Sequence, residues 1–164
     1  MRFTVTADTD IGIAKGTNQD SVLFKHGTYS GGEVLMAVIC DGMGGLTKGE
    51  LASATVIRAF LDWYNKELPY ELENLDLNVI GGKWSLMLKD LNVKIIEYAK
   101  KNNITMGTTF TGVLFVGDEY VTVHVGDTRL YHIGNKLEQL TCDQTFIARE
   151  IRKGTMTAEQ AKTD

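Results

Sequence analysis

The chain has 164 residues, 43% of them apolar and 23% charged, and carries a formal net charge of −4. This length predicts one domain large enough to bury a core, and the composition is that of an ordinary soluble globular protein. A single proline excludes a proline-rich low-complexity chain, the lack of a basic run excludes nucleic acid as the main partner, and no stretch approaches the 18 or so apolar residues of a membrane helix.

The opening MRFTVTADTD has no hydrophobic signal core. The two cysteines, Cys40 and Cys142, make no disulfide framework, and Cys40 reads as a small buried apolar residue. A cytoplasmic location is expected.

Residues 2–8 alternate Phe3, Val5 and Ala7 with Thr4, Thr6 and Asp8, which predicts a half-buried strand. A loop punctuated by Gly12 and Gly16 closes on Asn18 and Asp20. A second strand, Ser21–Lys25, is expected to turn through His26-Gly27 to Gly32 into a third, 33–40. The run Val34–Cys40 is continuously apolar, as in a strand buried on both faces. It stops at Asp41, and Gly42, Gly44 and Gly45 follow. Thr47 and Glu50 then form a T-x-x-E capping box. In an antiparallel hairpin Asp20 and Asp41 lie side by side, and two converging carboxylates repel unless a cation sits between them. Two readings of Asp41 follow. It turns a strand–helix corner by bonding nearby N–H groups, or it is a metal ligand beside glycines that can lend a carbonyl.

Residues 47–67 predict a helix with Ala52, Val56, Ala59 and Trp63 on its apolar face, ended by Pro69. Residues 70–82 read as a loop closed by Gly81-Gly82, and a second helix is expected from about Lys83 to Lys101. The two helices should pack as a layer on one sheet face. Four short strands follow, Thr108–Val116, Tyr120–Val125, Leu130–Ile133 and Lys136–Leu140. Asp143 is expected to cap a helix running to Gly154, and Thr157 a last short one. The class is α+β with mainly antiparallel sheets.

Four local patterns stand in order: N-Q-D at 18–20, D-G-M-G-G at 41–45, M-G-T-T at 106–109 and V-G-D-T-R at 125–129. Together they resemble the metal-dependent protein phosphatases, the type-2C Ser/Thr phosphatase family, and especially its bacterial members. The resemblance covers the whole chain, and about 143–164 looks like the start of the family's flap subdomain. It implies a four-layer α-β-β-α sandwich of two mainly antiparallel sheets, incomplete here at the C-terminus. It also implies Mn²⁺ or Mg²⁺ as cofactor, two ions and a weaker third, activating a water that hydrolyses phosphoserine or phosphothreonine. Residue by residue, Asp41 is the bridging ligand, Gly42 lends a carbonyl, Asp20 holds one of the two ions, and Asp127 belongs to the third. For Asp127 the alternative is an ordinary turn aspartate. Neither cysteine has a catalytic role in this chemistry.

Three departures from the family pattern stand out. Lys15 occupies the place of a phosphate-clamping arginine and keeps the charge without the two-pronged geometry. Met43 replaces a histidine of some members and cannot donate a proton. The family's two C-terminal metal aspartates have no counterpart, since none of Glu138, Asp143, Glu150, Glu159 and Asp164 stands in such a context. The chain is therefore expected to be a fragment of a longer phosphatase or a truncated homologue, with exposed sheet edges that favour self-association. The expected partner is a phosphoprotein that a Ser/Thr kinase would phosphorylate, with neither nucleic acid nor membrane. The competing reading is a degenerate phosphatase-like binding module. A nucleotide-binding domain is disfavoured, because the Walker lysine-Ser/Thr pair and a G-x-G-x-x-G pattern are both missing.

Overall fold

A computed structural model of the chain describes residues 2–13, 16–43, 48–157 and 160. Lys15, Gly44, Gly45 and Thr47, and so the expected capping box, lie outside these residues.

The centre is a four-stranded antiparallel sheet, in the order β1 (Ser21–Tyr29), β2 (Gly32–Cys40), β5 (Phe110–Val116), β6 (Glu119–Val125). Two short ribbons accompany it. One pairs β3 (Gly42–Met43) with β4 (Gly107–Thr108), the other β7 (Tyr131–Ile133) with β8 (Leu137–Gln139). The helices are α1 (Gly49–Lys66), α2 (Leu68–Glu71), α3 (Leu77–Asn102) and α4 (Phe146–Lys153). The α+β class and the antiparallel pairing agree with the expectation. No helix among the described residues is long and apolar enough to cross a membrane.

The two faces of the sheet differ. One carries the cross-strand rows Leu23, Val38, Gly112, Val123 and Lys25, Met36, Leu114, Val121. The long helices α1 and α3 cover it with Ala52, Val56, Phe60 and Trp63 and with Ile80, Trp84, Leu91 and Ile95. Trp84 stands edge-on to Phe60 and Trp63, with centroids 5.1 and 5.3 Å apart. Such aromatic pairs contribute about 0.5–1.5 kcal/mol each beyond their buried area. The other face carries Val22, Ile39, Thr111, His124 and His26, Leu35, Phe115, Tyr120. There Ile39 is 42% and Tyr120 47% exposed. The apolar run Val34–Cys40 is therefore fully covered on one side only, which corrects the expectation of a strand buried on both.

Several boundaries also differ. Residues 2–8 form no strand: none of the described strands pairs with them, and alternation without a ladder partner makes no sheet. Phe3 instead rests against His26 and Phe115. The first hairpin turns at Ser30-Gly31, with His26 and Gly27 still in β1. Pro69 sits in the first turn of α2, where its missing N–H is harmless. Gly81-Gly82 lie inside α3, which begins earlier because the Asp76 carboxylate accepts from the N–H groups of Asn78 and Val79. A Cβ on Gly81 would meet a Val121 methyl at 3.0 Å, so that glycine lets helix and sheet approach. Thr145, not Asp143, caps α4 by accepting from the Ala148 N–H. Thr157 and Gln160 do make the expected reciprocal pair of capping bonds.

Candidate metal centre

The hairpin register decides where the two acids go. Ser21 pairs with Cys40, so Asp20 enters β1 beside the point where Asp41 leaves β2. Each is then fixed by its own surroundings.

Asn18 makes the turn that presents Asp20. Its side-chain oxygen accepts from the Asp20 N–H at 3.0 Å, and its amide donates to the Thr9 hydroxyl at 2.7 Å. This is an Asx turn, a local geometry that Asn favours. From the helical side, the buried Ser53 hydroxyl donates to the Gln19 carbonyl at 2.7 Å and lies 2.9 Å from the Ser21 hydroxyl. The residues on either side of Asp20 are thus tied to α1, while Asp20 itself is exposed. Sequence reasoning missed Ser53; its signal is a hydroxyl on the apolar stripe that Ala52, Val56 and Phe60 define.

Asp41 is held by the M-G-T-T segment. Its backbone N–H donates to the Thr109 hydroxyl at 2.9 Å, and its carbonyl accepts from the Thr109 N–H at 2.9 Å and the Thr108 hydroxyl at 3.0 Å. One step on, Gly42 pairs with Thr108. A Cβ on Gly42 would stand 2.5 Å from the Gly49 carbonyl oxygen and closer still to that of Gln19. Three segments therefore converge on a point that only glycine can occupy. Beside them burial pushes the Cys40 thiol up to about 12, with a Thr108 hydrogen bond opposing. It is inert as a nucleophile.

Asp127 lies in the turn after β6 and is exposed. The turn is clamped at Gly126, which is at φ 108 and whose Cβ would collide with Thr109. Gly126 N–H donates to the Gln144 side chain at 3.2 Å, and its carbonyl accepts from the Gln144 N–H at 2.8 Å. Since Thr109 also bonds the Asp41 backbone, the Asp127 turn belongs to the same end of the sheet. Arg129 forks onto Asp143 with bonds of 2.9 and 2.7 Å, and this guanidinium holds the Asp143 carboxyl below its ordinary range. Asp143 is therefore engaged in an ion pair.

The structure thus brings together Asp20, Asp41 and Gly42, with Asp127 on the neighbouring turn, while Lys15 lies outside the described residues. Among the described residues no three His, Cys, Asp or Glu side chains form a cation cage. The residues that the register brings to this sheet end offer carboxylates and a backbone carbonyl. That all-oxygen set fits a hard divalent ion such as Mn²⁺ or Mg²⁺.

The chain is similar to known proteins along nearly its whole length. The family model described as Protein phosphatase 2C matches residues 13–163. Serine/threonine protein phosphatase PstP of Mycobacterium tuberculosis is 34% identical over 157 residues, which are 94% of this chain and 28% of that protein. A Streptococcus agalactiae serine/threonine phosphatase structure superposes with a TM-score of 0.76 at 29% identity, over 94% of this chain and 62% of that one. The PstP catalytic domain in complex with two manganese ions gives a TM-score of 0.68 at 33% identity, over 92% and 60%. The chain thus spans less than two thirds of each of these relatives. A match running from residue 13 to residue 163, across every segment that builds the acidic end of the sheet, places this chain in the protein phosphatase 2C family.

Proposed function

We propose that the chain is the N-terminal part of a Mn²⁺- or Mg²⁺-dependent serine/threonine protein phosphatase. The observation that carries this reading is the Ser21–Cys40 register, which sets Asp20 and Asp41 at one sheet end beside the closed Gly42 corner. Asp41 would bridge two ions, the Gly42 carbonyl and Asp20 would complete what this chain gives to them, and Asp127 would serve a third. Such ions, when bound, lower the pKa of water and neutralise phosphoryl oxygens.

The chain's own residues supply position. Thr108 and Thr109 fix the Asp41 backbone, and Ser53 with Asn18 fix the segment carrying Asp20. Lys15 would attract the substrate phosphate as a point charge. Met43, 58% exposed, has no proton to give a leaving group. The substrate would be a phosphoprotein, opposing a Ser/Thr kinase in a bacterial cytoplasm. The bacterial relatives, all named as phosphatases, support this over a degenerate binding module. Residues from about 143 onward would begin a subdomain of the same domain.

Calorimetric titration of Mn²⁺ tests the site. Wild type should bind weakly, in the millimolar range or just below, and Asp41→Asn should lose most of that binding. Equal uptake by both would remove the assignment.

A further inference from the structure

A chain of side-chain hydrogen bonds runs from the penultimate residue of β6 to the Asp41 backbone. His124 Nδ1 lies 2.9 Å from the Thr111 hydroxyl. That hydroxyl lies 2.6 Å from the Thr128 hydroxyl and 3.2 Å from the Thr128 carbonyl. The Thr128 hydroxyl reaches Thr109 Oγ1 at 3.4 Å, the loosest link, and Thr109 Oγ1 accepts from the Asp41 N–H. Thr109 and Thr111 are buried, at 2% and 7% exposure. The four residues come from β5, β6, the bend between β4 and β5, and the turn that carries Asp127.

Proton counting gives the chain a direction. A hydroxyl has one proton to donate. The Thr128 hydroxyl donates its proton to Thr109. The proton in its 2.6 Å contact with Thr111 is therefore the Thr111 proton. Thr111 Oγ1 has no second proton for the imidazole, so His124 must donate from Nδ1. Its Nε2 is buried and has no partner among the described residues, which suits a nitrogen without hydrogen better than a stranded N–H.

We infer that His124, Thr111, Thr128 and Thr109 form a positioning relay, with His124 held as the Nδ1–H tautomer, that locks the Asp127 turn to Asp41. None of the four is a metal ligand. The relay rests on the metal reading above. It makes the spacing of the two acids depend on groups buried in the sheet, and outer groups that orient a metal ligand typically control affinity 10- to 100-fold.

Two measurements test it. Nitrogen-15 NMR of wild type at about pH 8, where imidazole is neutral, should show the proton of His124 on Nδ1. Thr111→Val, which keeps the branched shape and removes the hydroxyl, should weaken Mn²⁺ uptake roughly tenfold and release the tautomer preference. Thr111→Ser should restore both. A proton on Nε2 in wild type overturns the relay without any variant. So does Mn²⁺ uptake by Thr111→Val equal to wild type while Asp41→Asn loses it. Failure of the metal reading looks different, since Asp41→Asn would then bind as wild type does.

Discussion

Replacing Gly42 by alanine adds one methyl at the most closely surrounded glycine among the described residues. That methyl would lie 2.5 Å from the Gly49 carbonyl oxygen, 2.6 Å from its carbon, and closer still to the Gln19 oxygen. Relief needs those groups to retreat by about 1 Å, and all are backbone rather than a side chain that can swing aside. Gly49 opens α1, and the Gln19 carbonyl is held by Ser53. Overpacking of this kind costs roughly 2–3 kcal/mol. Alanine stiffens the unfolded chain and returns about 0.4–1 kcal/mol. A net loss of about 2 kcal/mol should lower the melting temperature by about 4–8 °C. Urea unfolding should show a lower midpoint at unchanged slope. Because the displaced groups flank Asp20 and Asp41, Mn²⁺ binding should fall as well. A Gly42→Ala protein within 0.5 kcal/mol of wild type, with Mn²⁺ binding intact, would refute the claim that Gln19, Gly42 and Gly49 form one closed corner.

Other outcomes are equally specific. Turnover of p-nitrophenyl phosphate should require Mn²⁺ and be indifferent to thiol blockers. Lys15→Arg should lower KM more than it changes kcat, since a fork binds ground-state phosphate too. Sedimentation should reveal self-association, because β1 and β6 end the sheet without strand partners among the described residues and Ile39 and Tyr120 face outward; compact monomer at all concentrations would argue against it. A thiol reagent at about pH 8 should label the exposed Cys142 in the native protein and reach the buried Cys40 only on unfolding. The Cys40 thiol is held protonated up to about 12, so its contribution to stability should fade as pH rises past the unfolded value near 8.5.

Much of the acidic end was legible because it depends on local chemistry. Asp20 follows an Asn that makes its own turn, and Asp41 follows an apolar run, so both acids could be placed at strand ends. The antiparallel pairing then needed only a short hairpin, even though its turn lies four residues beyond His26. The errors share a different origin. Residues 2–8 have a strand's pattern, but a pattern cannot show whether a partner edge is present. Gly81-Gly82 look like a break, yet Val121 makes Gly81 a contact point inside a helix. Asp143 has a capping residue's side chain, but Arg129 takes it and Thr145 caps instead. Ser53 and the threonine relay were not legible as partners, because their cross-segment bonds join residues 13 to 68 positions apart. The residues M-G-T-T marked the place without revealing what the hydroxyls hold.

The glycine pair in α3 also bears on how the molecule moves. Two interior glycines cost a helix about 2 kcal/mol relative to alanine, and here they sit in its first two turns. The Asp76 cap offsets only part of that, and the Ser85 hydroxyl, which bonds back to the Gly81 carbonyl at 2.9 Å, does not add to it. The rest must come from docking on β6, where Val121 waits. Amide exchange along α3 should therefore be uneven, fastest near Asn78–Gly82 and slowest around Leu91–Ile95, with the first turns opening and closing on the sheet as a small unit of their own.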